Sequence, residues 1–319
     1  MHKRIWIIVA ILLAAGATLC AIRWKAWFGN PPEPEWTGPV TDYHFLTFGE
    51  EKVPSFTKEG TTWQDMHQPH QLQILLFGDV HGQIDHERYL TLGQRYPDLD
   101  AYAQSGDWMD RGYYYYAQEL KSNLKGTAFE NLPVITTPGN HEYHKGLIYK
   151  LPLLWYSLFK HPLNGPANGL GSTYYVDFTS LRFVVIDTSA PYSLVHYTRL
   201  NKWVKQTFAS AGDKFIVVMM HHPVLSTAKG QWNNMTFLFL YRSLKHASLV
   251  FAGHDHVYRR HLPFVEISSV DRPHTPRTNV KAEKMSQQPV YVLLTVTDSS
   301  LVMQTYDLRT DSLIDEVLL

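Results

Sequence analysis

Cysteine is nearly missing from this chain. Cys20 is the one thiol in 319 residues, so no disulfide can close within the chain and no cysteine-based zinc site can be built. That usage does not decide the redox compartment. Net charge is missing too: 29 basic and 29 acidic residues cancel. The balance removes the electrostatic argument for a nucleic-acid partner or an acidic surface. A G-x-S-x-G stretch, the strained turn that presents a nucleophilic serine, does not occur, and Cys20 lies inside an apolar run. A serine or cysteine hydrolase therefore has little support. What is present is an ordinary globular composition, 45% hydrophobic and 18% charged, long enough for one large domain or two modest ones. Histidine is plentiful at 17 residues. It is a common metal ligand and equally a routine core or surface residue, so the number matters only if several fall at matching structural positions.

Residues 5–22 (IWIIVAILLAAGATLCAI) carry no charge. As a helix they would rise about 27 Å, close to the roughly 30 Å of a bilayer core. Lys3 and Arg4 precede the run, Arg23 and Lys25 follow it, and Trp24, Trp27 and Phe28 suit a lipid–water boundary. An uncleaved anchor competes with a signal peptide cut near Ala15-Gly16-Ala17 and with a buried soluble helix. The length of the run and its charged, aromatic far flank favour the anchor. A short N-terminal head usually stays cytoplasmic, which puts the rest of a single-pass membrane protein on the extracytoplasmic side. Residues 1–28 are thus read as anchor or signal peptide and 29–70 as linker and irregular lead-in, opened by the proline-rich stretch 30–39 (NPPEPEWTGP). The main domain is expected over 71–319.

From residue 71 a pattern recurs. A short apolar run ends and polar residues come at once: QLQILLF before Gly78-Asp79, AYAQS before Gly106-Asp107, PVITTP before Gly139-Asn140. RFVVI precedes Asp187, FIVVMM precedes His221-His222-Pro223, and SLVFA precedes Gly253-His254. Runs of this length suit buried strands. Helical patterns over 86–96, 113–124, 196–209 and 237–246 alternate with them, which argues an α/β fold. Sites in such folds form beyond the carboxyl ends of the strands. Residues 288–296, 300–307 and 314–318 read as a meander, and 266–287 as a loop.

The strand ends assemble a candidate ligand set: Asp79, His81, Asp107, Asn140, His221, His254 and His256. Oxygen and nitrogen donors without thiolate suit divalent Mn, Fe or Zn. Seven ligands exceed one tetrahedral ion, so two ions sharing a carboxylate fit better, with Asp107 the expected bridge. Asp187 matches no ligand position and is read as structural. His67, His86, His161, His196 and His246 match no motif and are read as surface or core.

GDVHGQ, GDWMDRG, GNHE, HHP after an apolar run and GHDH, in that order, resemble the calcineurin-like metallophosphoesterase superfamily over about residues 72–262. The resemblance implies a four-layer αββα sandwich of two mixed sheets with a dinuclear metal site at the strand carboxyl ends. It implies a first ion on Asp79, His81, Asp107 and His256, and a second on Asp107, Asn140, His221 and His254. His222 is then left to support a ligand, face substrate or merely pack. The implied activity is hydrolysis of phosphate esters by a metal-bridging hydroxide, since metal charge lowers the pKa of water and a metal pair clamps an in-line displacement. His141 is the implied acid for the leaving group. Asp110 matches the acidic position that orients it, and Arg111 an arginine that binds phosphate. Asp110 also stands where purple acid phosphatases carry an iron-binding tyrosine, so their tyrosinate colour is not expected. GNHEY, GSTYYVDF and GHDHVYRR nevertheless look like that branch and like cyclic-nucleotide phosphodiesterases. The later motifs of protein phosphatases are missing. The aromatic insertion at 143–175 would line the substrate entrance, touch lipid or cap the core. The expected partners are a small phosphoester substrate and a membrane. A phosphodiesterase or pyrophosphatase acting on nucleotides or lipid-linked substrates, and an inactive metal-site binding module at the membrane, are the alternatives.

Overall fold

The structure is a computed structural model. It describes Thr18 and residues 56–59, 62–65, 71–82, 85–110, 122–130, 132–145, 149–150, 155, 159, 161–190, 193–226, 235–275 and 281–319. In chain order, β1 (Phe56–Glu59) and β2 (Thr62–Asp65) precede β3 (Leu72–Phe77), helix α1 (His86–Arg95), β4 (Ala101–Gln104) and β5 (Val134–Thr136). A small pair, β6 (His144–Lys145) and β7 (Tyr149–Lys150), comes next. Then come β8 (Tyr174–Asp177), β9 (Leu181–Ile186), α2 (Leu194–Ala209), β10 (Phe215–Met220), α3 (Met235–Leu244) and β11 (Leu249–Ala252). The chain ends with β12 (Tyr258–His261), β13 (Phe264–Glu266), β14 (Lys284–Ser286), β15 (Val290–Val296), β16 (Leu301–Asp307) and β17 (Leu313–Leu318).

The strands form two mixed sheets, nine-stranded in the order β1-β2-β8-β9-β10-β11-β13-β12-β14 and six-stranded in the order β17-β16-β15-β3-β4-β5. Alternation along each strand decides the layers, because successive side chains leave opposite faces. From β3, Leu72, Ile74 and Leu76 enter one core cluster with Phe183 and Val185 of β9, Val217 and Met219 of β10, and Val292 and Leu294 of β15. That cluster lies between the sheets. Leu75 and Phe77 turn the other way, onto Tyr89 and Leu92 of α1. Val184, Ile186, Val218 and Met220 turn onto Leu200 and Val204 of α2 and Leu240 and Leu244 of α3. Helix, sheet, sheet and helix therefore stack as the αββα sandwich that the motifs implied. The helices begin where capping predicts: Asp85 accepts from the Arg88 N–H, and Ser193 forms a capping box with His196.

Two expectations change. Phe56–Glu59 and Thr62–Asp65, read as irregular lead-in, pair antiparallel as β1 and β2, and β2 pairs in parallel with β8 to extend the large sheet. The stretch 266–287, read as a loop, ends in β14, and its start buries Ile267, Ser268 and Ser269. Serines and a three-residue strand give no apolar periodicity to read. Of the 143–175 insertion, Tyr143, Trp155, Phe159 and His161 are buried, which fits the expected cap on the core. Trp155 and Phe159 are buried with ring centroids 4.4 Å apart, and His161 stacks on Tyr174 at 4.4 Å. The 113–124 helix lies mostly, and Tyr113–Tyr116, Tyr156 and Arg111 lie wholly, outside the described residues; so does the apolar run 5–22 apart from Thr18. Among the described residues no helix is long and apolar enough to cross a membrane.

Candidate metal centre

The small sheet delivers Asp79 after β3, Asp107 after β4 and Asn140 after β5; the large sheet delivers His221 after β10 and His254 after β11. All these strands run parallel within their sheets, so their carboxyl ends share one edge. The two edges meet. The His256 Nε2 lies 3.0 Å from Asp79 Oδ2 and 3.2 Å from the His81 Nε2. His221 Nε2 lies 3.4 Å from Asp107 Oδ2, 3.1 Å from Asn140 Oδ1 and 3.2 Å from the His254 Nδ1. Asp79, Asp107 and His221 also have ligand atoms within 4.8 Å of one another, which joins the two groups. All seven sequence-predicted ligands are thus brought together.

Backbone geometry records the cost of this convergence. His81, Asp107, His254 and His256 have φ of 51°, 55°, 70° and 57°. Non-glycine residues rarely occupy this left-handed region, at a cost on the order of 1–3 kcal/mol each. Four ligands share that strain, and each turns its side chain back toward the sheet edge from a loop that a glycine opens. Close approach needs glycine as well. A Cβ on Gly253 would stand 2.1 Å from Asp79 Oδ1, and one on Gly139 2.1 Å from Asp107 Oδ1.

Partners behind the ligands set which nitrogen faces inward. The His221 Nδ1 lies 2.9 Å from the Ser105 carbonyl and the His256 Nδ1 3.0 Å from the Arg272 carbonyl. A carbonyl only accepts, so both Nδ1 atoms donate and both Nε2 lone pairs point at the cluster. The Asp79 carboxylate accepts from the His254 N–H at 2.9 Å, and Asp107 Oδ1 accepts from the His141 N–H at 2.8 Å.

The electrostatics call for positive charge. Asp79 and Asp107 are 0% and 2% exposed. Among the described residues, the basic groups paired with them are histidines. Burial opposes ionisation of Asp107, but the charges of His221 and His141 and their hydrogen bonds outweigh it and hold the carboxyl well below the usual range. Burial likewise disfavours the His221 cation, yet Asp107 and Asp79 push it up to about 9. His256 is raised against burial by Asp79, whereas burial wins at His81 and lowers it. Two buried carboxylates that draw protons onto neighbouring imidazoles, with lone pairs converging at hydrogen-bond range, are a donor set that fits divalent cations.

His141 sits beside this set. Its Nε2 is 4.0 Å from Asp107 Oδ2, and its ring centroid is 4.8 Å from that of His81. Its Nδ1 lies 2.7 Å from the backbone carbonyl of Asp110. The orienting partner is therefore the Asp110 carbonyl, where the motif pointed to the carboxylate. The carboxylate has ligand atoms within 4.8 Å of His81 and His141 nitrogens and accepts from Arg272 at 3.3 Å. His222 adds a further imidazole, its ring 4.2 Å from that of His254. Asp187, read as structural, accepts from the Tyr143 hydroxyl at 2.6 Å and from the Ser189 and Ala190 N–H groups.

Glu142 was not singled out by sequence reasoning. It is fully buried and accepts from the N–H groups of Asp107, Met109 and Gly139 at 2.9, 3.0 and 2.7 Å. One side chain so locks the loops after β4 and β5 together. Burial first, then the charge of Asp107, push it up to about 8, against the pull of the N–H donors. Its signal was the last letter of GNHE. Arg272 was passed over as well, inside the supposed loop.

A sequence model described as calcineurin-like phosphoesterase matches residues 72–258. No curated protein matches the chain. Among solved structures, the chain is similar to purple acid phosphatase PPD1 from yellow lupin (Lupinus luteus) seeds at TM-score 0.65 and 14% identity, over 79% of this chain and 54% of that one. It is also similar to GAP50, described as the anchor in the inner membrane complex of Plasmodium, at TM-score 0.57 and 15% identity, over 78% and 88% of the two chains. PhoD is similar at TM-score 0.53 and 11% identity, over 79% and 69%. The chain spans about half the length of the lupin structure, and identities this low speak for the fold alone.

Proposed function

This chain belongs to the calcineurin-like phosphoesterase family, and from that premise we propose that it is a phosphate-ester hydrolase working with two divalent transition-metal ions, Mn, Fe or Zn, while tethered to a membrane by residues 5–22 with its catalytic domain on the extracytoplasmic side. The observation that carries the reading is the convergence of seven donors from two sheets on one buried, carboxylate-rich point. Asp79, His81, Asp107 and His256 would hold one ion, and Asp107, Asn140, His221 and His254 the other. When bound, such ions lower the pKa of water toward neutrality and offset charge on the phosphoryl oxygens.

The chain's own residues do the rest. Ser105 and Arg272 carbonyls keep the His221 and His256 rings turned inward. Glu142 keeps Asp107 and Asn140 in register by holding both of their loops. His141 donates Nδ1–H to the Asp110 carbonyl. Its Nε2 therefore carries a proton only in the imidazolium form. Giving that proton to the leaving oxygen returns the ring to the neutral tautomer that the carbonyl already favours.

The decisive experiment joins metal analysis to turnover. The full chain, expressed with Mn, Fe and Zn, should contain close to two metals and hydrolyse p-nitrophenyl phosphate. Asp107→Asn should lose turnover by about a thousandfold or more while unfolding cooperatively. Metal-free protein after that growth would sink the reading. The likeness of fold to an anchor protein motivates a second reading, a binding module at a membrane. Silence across a panel of monoesters, diesters and pyrophosphates with both metals bound would select it.

A further inference from the structure

The stretch from Ser268 to His274 leaves β13 and folds back over the first ligand group. Ser269 Oγ and the Val270 N–H both donate to the Asp79 carbonyl, at 2.9 and 3.0 Å. The Arg272 N–H donates to Ser269 Oγ at 3.2 Å, and the Arg272 carbonyl accepts from the His256 Nδ1. The His274 N–H closes the turn on the His256 carbonyl at 2.6 Å, and the two rings stack at 4.6 Å. Pro273 further restricts the backbone of Arg272. The Cα of Arg272 is thus fixed by two expected metal ligands, Asp79 and His256.

Its side chain is fixed far less. The side chain is 50% exposed; Nε pairs with Asp271 Oδ2 at 2.8 Å, a carboxylate 13% exposed, and Nη1 with Asp110 Oδ1 at 3.3 Å. Asp110 is itself 35% exposed. The longer, more exposed contact to Asp110 is the weak one, so an incoming anion can displace it and take the outer edge of the fork while Nε stays on Asp271. Nη2 meets no acceptor among the described residues. Position then decides which anion. Arg272 reaches the same residue, Asp110, whose carbonyl orients His141. It therefore stands on the side from which the leaving group departs.

Resting on the phosphoesterase reading above, we propose that Arg272 is a specificity-determining residue that grips an anionic substituent on the leaving group, so that the preferred substrates are phosphoanhydrides or esters whose leaving group bears a further phosphate. In the reaction, water's oxygen bonds to phosphorus and the bond from phosphorus to the leaving oxygen breaks. The leaving oxygen keeps the electron pair and takes the proton His141 carries on Nε2, the attacking water's proton passes to solvent, and Arg272 holds the charged fragment next to the leaving oxygen. A planar fork with paired donors suits a terminal phosphate.

Calorimetric titration of the metal-loaded full chain with methylenediphosphonate and with methylphosphonate separates the two phosphate positions. The parent should bind the bisphosphonate more tightly. Arg272→Ala should weaken that affinity about 10- to 100-fold, as for loss of a charge-assisted hydrogen bond, and shift methylphosphonate affinity less than about threefold. Arg272→Lys should recover part of the loss. Equal weakening of both ligands would move Arg272 onto the transferring phosphoryl and overturn the assignment, as would no change for either. Failure of the underlying reading shows separately, as absent metal uptake or absent p-nitrophenyl phosphate hydrolysis by the parent chain.

Discussion

At the residue scale, burial without a charge partner has consequences that can be titrated. His161 is 1% exposed, stacked against Phe159 and Tyr174, and burial lowers it to about 3 from 6.5. The folded state keeps it neutral while the unfolded chain protonates it. Its contribution to stability is therefore fully present above pH 6.5 and is lost as pH falls from there toward 3, by about 1.4 kcal/mol per pH unit. His161→Phe preserves an aromatic ring in the stack and removes the proton uptake. Urea unfolding between pH 6 and 4 should show the parent losing stability faster than the variant by about 1.4 kcal/mol per unit; parallel curves would refute the assignment. The sequence could place His161 only as surface or core, because nothing in HPLN tells how deep the ring sits. The candidate metal ligands were legible because each stands in a polar cluster just past an apolar run. Glu142 and Arg272 were not, since they act through backbone groups of residues distant in sequence or at the far end of a fold-back.

At the element scale, the site depends on loops that approach each other without side chains between them. Gly253 comes directly after β11, and its missing Cβ leaves room for Asp79 Oδ1 at 2.1 Å and Ser105 Oγ at 2.6 Å from where that atom would stand. Gly253→Ala should displace the Asp79 carboxylate and break its bond from the His254 N–H. We expect manganese affinity to fall about 10- to 100-fold by calorimetric titration, with far-UV circular dichroism unchanged. An unaltered affinity would mean that the loop relaxes freely. Long, strongly apolar elements were readable in advance: β3, β9, β10, β11 and the β15–β17 meander fall within two residues of their expected positions. β1, β2 and β14 were not, because strands of three or four mostly polar residues show no apolar alternation to read.

For the molecule as a whole, the proposed metal centre bridges the two sheets, so occupancy should report on global stability. Ions that bind only the folded chain add about 2.7 kcal/mol at a hundredfold excess over Kd. For a domain this size that is roughly 5–10 °C in Tm. Chelation should lower Tm by that amount and readdition of Mn should restore it; a Tm indifferent to metal would place the ions outside the interface between sheets. The sequence by itself determined the alternation of strand and helix, the apolar cores, and which polar residues stand at strand ends. Those are local properties, set by periodicity and by the residue types that terminate each apolar run. Only the tertiary structure decided that the two carboxyl edges abut, that Glu142 ties two loops, and that Arg272 folds back onto Asp110. Those contacts join residues tens to nearly two hundred positions apart. Their geometry is set by the packing of one sheet on the other, which leaves no periodic trace in the chain.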